Sequence, residues 1–594
     1  MLRKVAPVQP SGNLRQGPLR TRKPLGFVSK DSLKRGTVER AESEMQKVKA
    51  WSVGCFCALA SGSLGTFLTG PSDPFGPEIA TGPKRMLLIP LDDRPATTQF
   101  AQMIGQIADV QVDMPPRELL GRFKIPGKPD EILAWLDRQD LRAYDAVIVN
   151  AEMIAYGGLI ASRTNAVTRD QAMARLRRLV KIRREAPKTK FYGFTSLMRL
   201  APTSLKSSAK WREALTQYVI LKSRTGKNPT AAERKRMADL LKKIPPESLA
   251  AYQSARIRNN RVQQDLVRMV HNRSLDFLIL GQDDAQKYGP HLAETATLQR
   301  LADQLRVRDR LYFCEGIDQH ANVLLSRAML ASSGWAPRVR IYYADAQGKT
   351  KIAPYETETV ESSVMDQLIA SGAQAAQAED DFDYSLYINT PNPRPEAFQV
   401  FADSLRKEVD QGLPVAVGDI NLGYSGTGDP RLFEALSENG RSMRLLSYAG
   451  WNTAGNTIGT AIPAANVYLY SRKRARDPLA RELNQRSFLL HRLVNDFEFH
   501  RFTRPRAYEI QSQLGETKEE TYGQAFNEIN AFVQVDVRRR LESVYQQQFH
   551  GKRFFAGNEL YKVKDLTQIQ VELPWPRAYE VRIGFKLEAE RVAY

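Results

Sequence analysis

Met86-Leu-Leu-Ile-Pro-Leu-Asp-Asp-Arg-Pro95 decides the reading of this chain. A continuous apolar run, without polar alternation, suits a parallel strand covered on both faces. It then breaks at once into Asp92, Asp93 and Arg94. In parallel α/β folds functional side chains gather where strands end. The same signature recurs down the chain. Ala146-Val-Ile-Val149 leads into Asn150 and Glu152, and Phe191-Tyr-Gly-Phe194 leads towards Arg199. Phe277-Leu-Ile-Leu280 leads into Asp283-Asp284, and Leu311-Tyr-Phe313 into Glu315 and Asp318. Val415-Ala-Val417 leads into Asp419 and Asn421. Leu445-Leu-Ser-Tyr448 leads into Trp451, Asn452 and Asn456.

Val110–Val112, Val339–Tyr343 and Leu386–Ile388 are further strand candidates. Helical patterns fill the intervals, such as Asp170–Glu185 behind a Thr168 cap and the arginine-rich stretch 250–273. Strand alternating with helix predicts βαβ units. The fold class is therefore α/β with a parallel-strand core. Leaving out Val110–Val112 and Val339–Tyr343 gives eight strands and a modified (β/α)8 barrel with insertions, the favoured arrangement. Keeping all ten gives two doubly wound open sheets divided near residue 335. The α/β core is expected over 84–476, with a helical insertion near 200–250. A mostly helical region follows over 477–594, with a β-hairpin at 565–588 around Pro574-Trp-Pro576.

The chain has 594 residues, 42% of them apolar, and carries a net charge of +20. Its basic runs, such as 175–184, read as wet faces of amphipathic helices, not as nucleic-acid patches. Three cysteines speak against a disulfide framework or a cysteine zinc site. Residues 1–44 are basic and lack a hydrophobic period, and are expected to be disordered. Lys47 and Lys49 precede the small, apolar run Trp51–Leu68 and a Gly/Pro/Ser stretch to Pro83. That order predicts an export signal near 45–70 and a linker to 83. No membrane span is expected after it.

Any one acidic strand end is adequately explained as a helix N-cap. Several acids on one rim would repel unless cations or sugar hydroxyls answer them, and Arg94, Arg163 and Arg199 are candidates for that task. Glycoside hydrolysis needs such carboxyl pairs. Asp283 and Asp284 are the first choice for acid and base, and Asp92 and Asp93 the second. Glu152, Tyr156, Glu315, Asp419, Asn421, Trp451, Asn452 and Asn456 are expected to bind a carbohydrate substrate alongside the three arginines. A divalent metal held by the same acids is the competing account. The six histidines show no ligand spacing, so no cofactor or metal ligand is assigned. A non-catalytic carbohydrate or cell-envelope binding protein is the third account.

Several of these segments resemble a bacterial family catalogued as domain of unknown function 4127. They are Pro90–Pro95, Pro115-Pro-Arg-Glu-Leu-Leu-Gly121, Tyr156-Gly-Gly-Leu-Ile-Ala-Ser-Arg163, Leu280–Asp284 and Gly450-Trp-Asn-Thr-Ala-Gly-Asn456. The resemblance implies a bacterial protein of carbohydrate-handling context. One motif departs: Gly316-Ile-Asp-Gln319 stands where an Asp-Glu pair is expected, which weakens Asp318 as a catalytic candidate.

Overall fold

The computed structural model describes residues 84–594, except 379–380, 424–425, 475–476 and 594. The disordered extension, export signal and linker expected over 1–83 lie outside the described residues.

Six parallel strands form the first sheet: β1 (Arg85–Ile89), β2 (Gln111–Asp113), β3 (Ala146–Asn150), β4 (Lys190–Leu197), β5 (Phe277–Gln282) and β6 (Leu311–Glu315). Their spatial order is β2-β1-β3-β4-β5-β6. A second sheet holds β7 (Arg338–Tyr343), β8 (Gln374–Ala375), β9 (Tyr384–Asn389), β10 (Val415–Asp419) and β11 (Ser447–Ala449). It is ordered β11-β10-β9-β7-β8, again parallel. The α/β core of parallel strands is thus as read from the sequence.

The closed barrel is corrected. Both segments left out to reach eight strands are real strands: Gln111–Asp113 pairs with β1, and Arg338–Tyr343 pairs with β9 and β8. β2 sits on the far side of β1 from β3, so the chain reverses its direction of growth. A barrel adds each strand on the same side; a reversal leaves open edges and a switch point. The second sheet reverses likewise between β7 and β9.

The central strands β3, β5, β9 and β10 are buried throughout because both sheets are covered. Met86, Leu87, Leu88 and Ile89 are all at 0% exposure. Helices Pro129–Asp137, Arg169–Glu185 and Pro246–His271 cover one face of the first sheet through Leu133, Leu176 and Val267. Helices Gln99–Ile107, His320–Ser333 and Ala454–Arg472 supply the core that joins the other face to the second sheet. Helix Ala454–Arg472 is buried at every position but its last. That explains its run of small residues, because nothing larger fits between two sheets.

The outer face of the second sheet is covered by helices Pro395–Asp410 and Pro430–Ser437. The C-terminal helices and an antiparallel sheet of β12 (Arg553–Ala556), β13 (Glu559–Glu572) and β14 (Arg582–Arg591) share the same core. Residues 200–250 carry helices Arg212–Thr225 and Ala231–Leu241, with a small core around Leu215, Tyr218 and Leu240. Among the described residues no helix is long and apolar enough to cross a membrane.

Gly455, at the start of the central helix, passes against the backbone at the end of β6. A Cβ there would lie 2.5 Å from the Glu315 carbonyl oxygen and 3.0 Å from the Gly316 nitrogen. Backbone cannot yield as a side chain can. Gly455→Ala should therefore cost about 1–3 kcal/mol in denaturant unfolding; an unchanged midpoint would show that the two sheets are free to separate here.

Candidate functional site

The loops at the strand C-termini of both sheets face a common cleft of about 890 Å³. The first sheet contributes Arg94 after β1, Arg199 after β4, Asp283 and Asp284 after β5, and Asp318 after β6. The second contributes Thr427 after β10 and Asn452, Thr453 and Asn456 after β11. The C-terminal region supplies a further wall. The loop between β13 and β14 brings Trp575, Arg577 and Tyr579. Widened helical turns over Leu493–Thr503 bring His500 and Arg501, and the following helix brings Arg504 and Tyr508.

Buried charges need partners, and the first sheet provides them in order. Arg94 is 8% exposed and grips Asp92 on one side (2.7 and 2.9 Å) and Asp318 on the other (2.7 and 3.1 Å). Its guanidinium lies 5.0 Å from the Trp575 ring. Burial pushes the Asp318 carboxyl up, against the pull of Arg94. Arg163 binds Asp283 at 2.5 Å, and Arg199 binds Asp284. The three arginines named from sequence as answering cations each meet a carboxylate.

The Asp283-Asp284 doublet is asymmetric. The Asp283 side chain is 5% exposed and that of Asp284 27%, so Asp284 is the one open to the cleft. Burial raises both carboxyls, but Arg163 and Arg199 outweigh it at Asp283, whose pKa falls below the ordinary carboxylate range. At Asp284 burial and the neighbouring Asp283 charge win over Arg199, and the carboxyl is pushed up. Asp283 also accepts the Asp284 backbone N–H at 2.9 Å.

Asp92 and Asp93 do not line the cleft. Asp92 is spent on Arg94 and on the Thr97 hydroxyl at 3.0 Å. Asp93 accepts the Trp575 indole N–H at 2.6 Å and Arg117 at 3.2 Å, and burial pushes it up. The pair anchors the walls instead of facing the substrate space.

The single acidic rim expected from sequence is also redistributed. Glu152 is buried beneath the strand ends, accepting from Thr195 (2.6 Å), the Ser196 N–H (3.0 Å) and Asn150 (2.9 Å). Tyr156 lies under the Arg258 guanidinium, 4.3 Å from its ring centre. Glu315 turns away, accepting from the Thr357 and Glu358 N–H groups at 2.7 and 3.0 Å. It joins Glu356, Glu358 and Asp366 in a buried acidic cluster. Desolvation pushes Glu315 and Asp366 up to about 7, and pushes Glu356 well above the ordinary carboxyl range. Asp419 and Asn421 sit in a separate network with Asn389 and Asp429, and burial lifts Asp419 to about 7. Trp451 is core, edge-on to Phe100 at 5.4 Å with its N–H on Thr460; it offers no stacking face. All six fall outside the cleft lining because hydrogen bonds or packing consume them.

Asn452 and Asn456 do reach the cleft. Asn452 adopts φ 59°, a conformation asparagine tolerates, and accepts the Tyr579 hydroxyl at 2.7 Å. It donates to Asn456, which donates to Gln319. Sequence reading missed Arg212, Arg501, Arg504, Trp575 and Tyr579, and set Asp318 aside. Only Pro574-Trp-Pro576 carried a visible signal, a tryptophan held between two prolines at a turn. Among the described residues no group of three or more His, Cys, Asp or Glu is placed to hold a metal.

The model of the family described as Protein of unknown function (DUF4127) matches residues 86–584, and the chain belongs to that family. No curated protein matches it.

Two measurements test this geometry. Arg94→Met would strand two buried carboxylates and should cost about 3–5 kcal/mol of unfolding free energy. Arg94→Lys should recover only part of that, because an ammonium cannot grip two acids as a fork; a loss under about 1 kcal/mol in Arg94→Met would mean the triad does not hold the rim. The Glu315 cluster carries a pH signature. Unfolded carboxyls ionise near pH about 4.3, whereas Glu315 and Asp366 hold their protons to about 7. Their stabilisation is full at low pH and is lost as pH rises through about 7. Glu356→Gln should shrink the difference in stability between pH 5 and pH 8; an unaltered difference would show that Glu356 stays ionised.

Proposed function

We propose that this member of the family is a glycoside hydrolase working at the Asp283-Asp284 doublet. One observation carries the reading: two consecutive carboxyl groups at the end of β5, held by different arginines, are pushed in opposite directions of acidity. Separation of this kind is how one site keeps an acid and a base at the same pH. Asp284, raised and facing the cleft, is the proton donor to the leaving glycosidic oxygen. Asp283, held ionised by Arg163, supports the positive charge that develops on the sugar ring or, in a substrate-assisted reaction, orients an N-acetyl group. Asn452, Asn456 and Thr427 offer hydroxyl contacts, and the exposed Tyr579 ring offers a flat apolar face. An exported enzyme would meet glycans outside the cytoplasm, in keeping with the export signal expected at 45–70.

A second reading has one observation in its favour. Each carboxylate that the first sheet sends into the cleft is already paired with an arginine, which would suit a protein that binds a glycan without cleaving it. Product release separates the two.

Asp284→Asn should lower glycan hydrolysis by about 10²–10⁴-fold while the unfolding midpoint barely moves. Release of reducing ends from a panel of envelope polysaccharides and nitrophenyl glycosides reads the outcome. Activity needs Asp284 protonated and Asp283 ionised. The alkaline limb of the pH profile should therefore lie above the ordinary carboxyl range and the acid limb below it. Wild-type rates in the Asn variant would end the assignment.

A further inference from the structure

The cleft carries more positive charge than its own acids use. Its lining holds eight cationic side chains against five acidic ones. Asp283, Asp284 and Asp318 are already bound to arginines, and Arg577 is bound to Glu580 outside the lining. Glu213 and Glu519 are the remaining acids.

Arg212 stands out. It projects from the insertion helix Arg212–Thr225 and is half-buried. Its Nε donates to the Pro202 carbonyl at 2.7 Å, but its two terminal nitrogens meet no acceptor among the described residues. Arg199 is its neighbour, and burial together with the Arg199 charge makes the Arg212 cation harder to hold. Burial and Arg199 act the same way on Arg163. The Nε groups of both Arg163 and Arg199 are buried without a partner. Three guanidiniums therefore crowd one corner of the cleft beside Asp283 and Asp284, with donors left over. Arg501, exposed at the mouth, adds a further cation whose partners among the described residues are the Phe497 and Phe502 rings. A buried cation cluster with spare N–H groups is stabilised by an anion, and the planar fork of arginine fits a carboxylate or a sulfate in the same way.

We infer that the cleft selects an acidic glycan, whose carboxylate or sulfate group sits against Arg163, Arg199 and Arg212 and places the neighbouring glycosidic bond at Asp284. This rests on the hydrolase reading for what happens next, but binding itself does not require it. A cleft of about 890 Å³ suits a short sugar chain better than a nucleic acid, whose backbone would call for a longer basic track.

Titration calorimetry on the full chain tests the inference with an oligogalacturonate, a heparin-derived oligosaccharide, neutral chitohexaose and a single-stranded oligonucleotide. At least one of the two acidic oligosaccharides should bind about tenfold or more tightly than chitohexaose and weaken as salt is raised. Comparing the two says whether a carboxylate or a sulfate is preferred. Arg212→Gln should erase most of that advantage. Arg501→Gln, an exposed position safe for folding, should produce a smaller loss of the same kind. Equal affinity for neutral and acidic glycans, an oligonucleotide bound more tightly than either, or full affinity in Arg212→Gln would each overturn the inference. Acidic-glycan binding without cleavage would sink the hydrolase reading and leave this one standing.

Discussion

Arg94 between Asp92 and Asp318 is the interaction on which the site depends. The guanidinium is buried, and its two carboxylates come from the ends of β1 and β6, on opposite sides of the first sheet's centre. A cation so placed cannot be left half-paired without a large desolvation cost. It ties the two ends of the rim together and fixes the floor across which Asp283 and Asp284 are presented. Trp575 then rests on the same guanidinium and donates to Asp93, so the C-terminal wall is docked onto the same charges.

Electrostatics elsewhere in the cleft follow one rule. Acids brought to strand ends by the fold are either matched by arginines or withdrawn into buried hydrogen-bond networks. Asp283 and Asp284 take the first course. Glu152, Glu315 and Asp419 take the second, and their raised pKa values record the desolvation they bear. The open side of the first sheet's rim is therefore cationic, not acidic. That inversion points the reading from a general sugar site towards one for charged sugars.

The legibility of the chain divides along physical lines. All ten strand candidates exist; most are legible because a fully buried parallel strand needs an uninterrupted apolar run, as Phe277–Leu280 and Val415–Val417 show plainly. Two-residue Gln374–Ala375 was not legible, being too short to carry a pattern. The preference for a barrel failed because strand order is set by which side of β1 the chain returns to, and no local residue encodes that. Trp451 read as a substrate contact but is core; a tryptophan flanked by glycine looks alike in both roles until its neighbours Phe100 and Thr460 are known.

By itself the sequence determined the parallel α/β core, the acidic and arginine-bearing strand ends, and the Asp283-Asp284 doublet, since all three are written in local pattern. Only the tertiary structure decided which of those ends converge. It set Asp283, Asp284 and Asp318 in one cleft and sent Glu315 and Asp419 elsewhere. It also brought Arg212, Trp575 and Tyr579 from distant segments to complete the walls. Convergence depends on sheet order and on how the C-terminal region packs, and these are sums of many weak contacts across the chain that no short stretch of sequence carries.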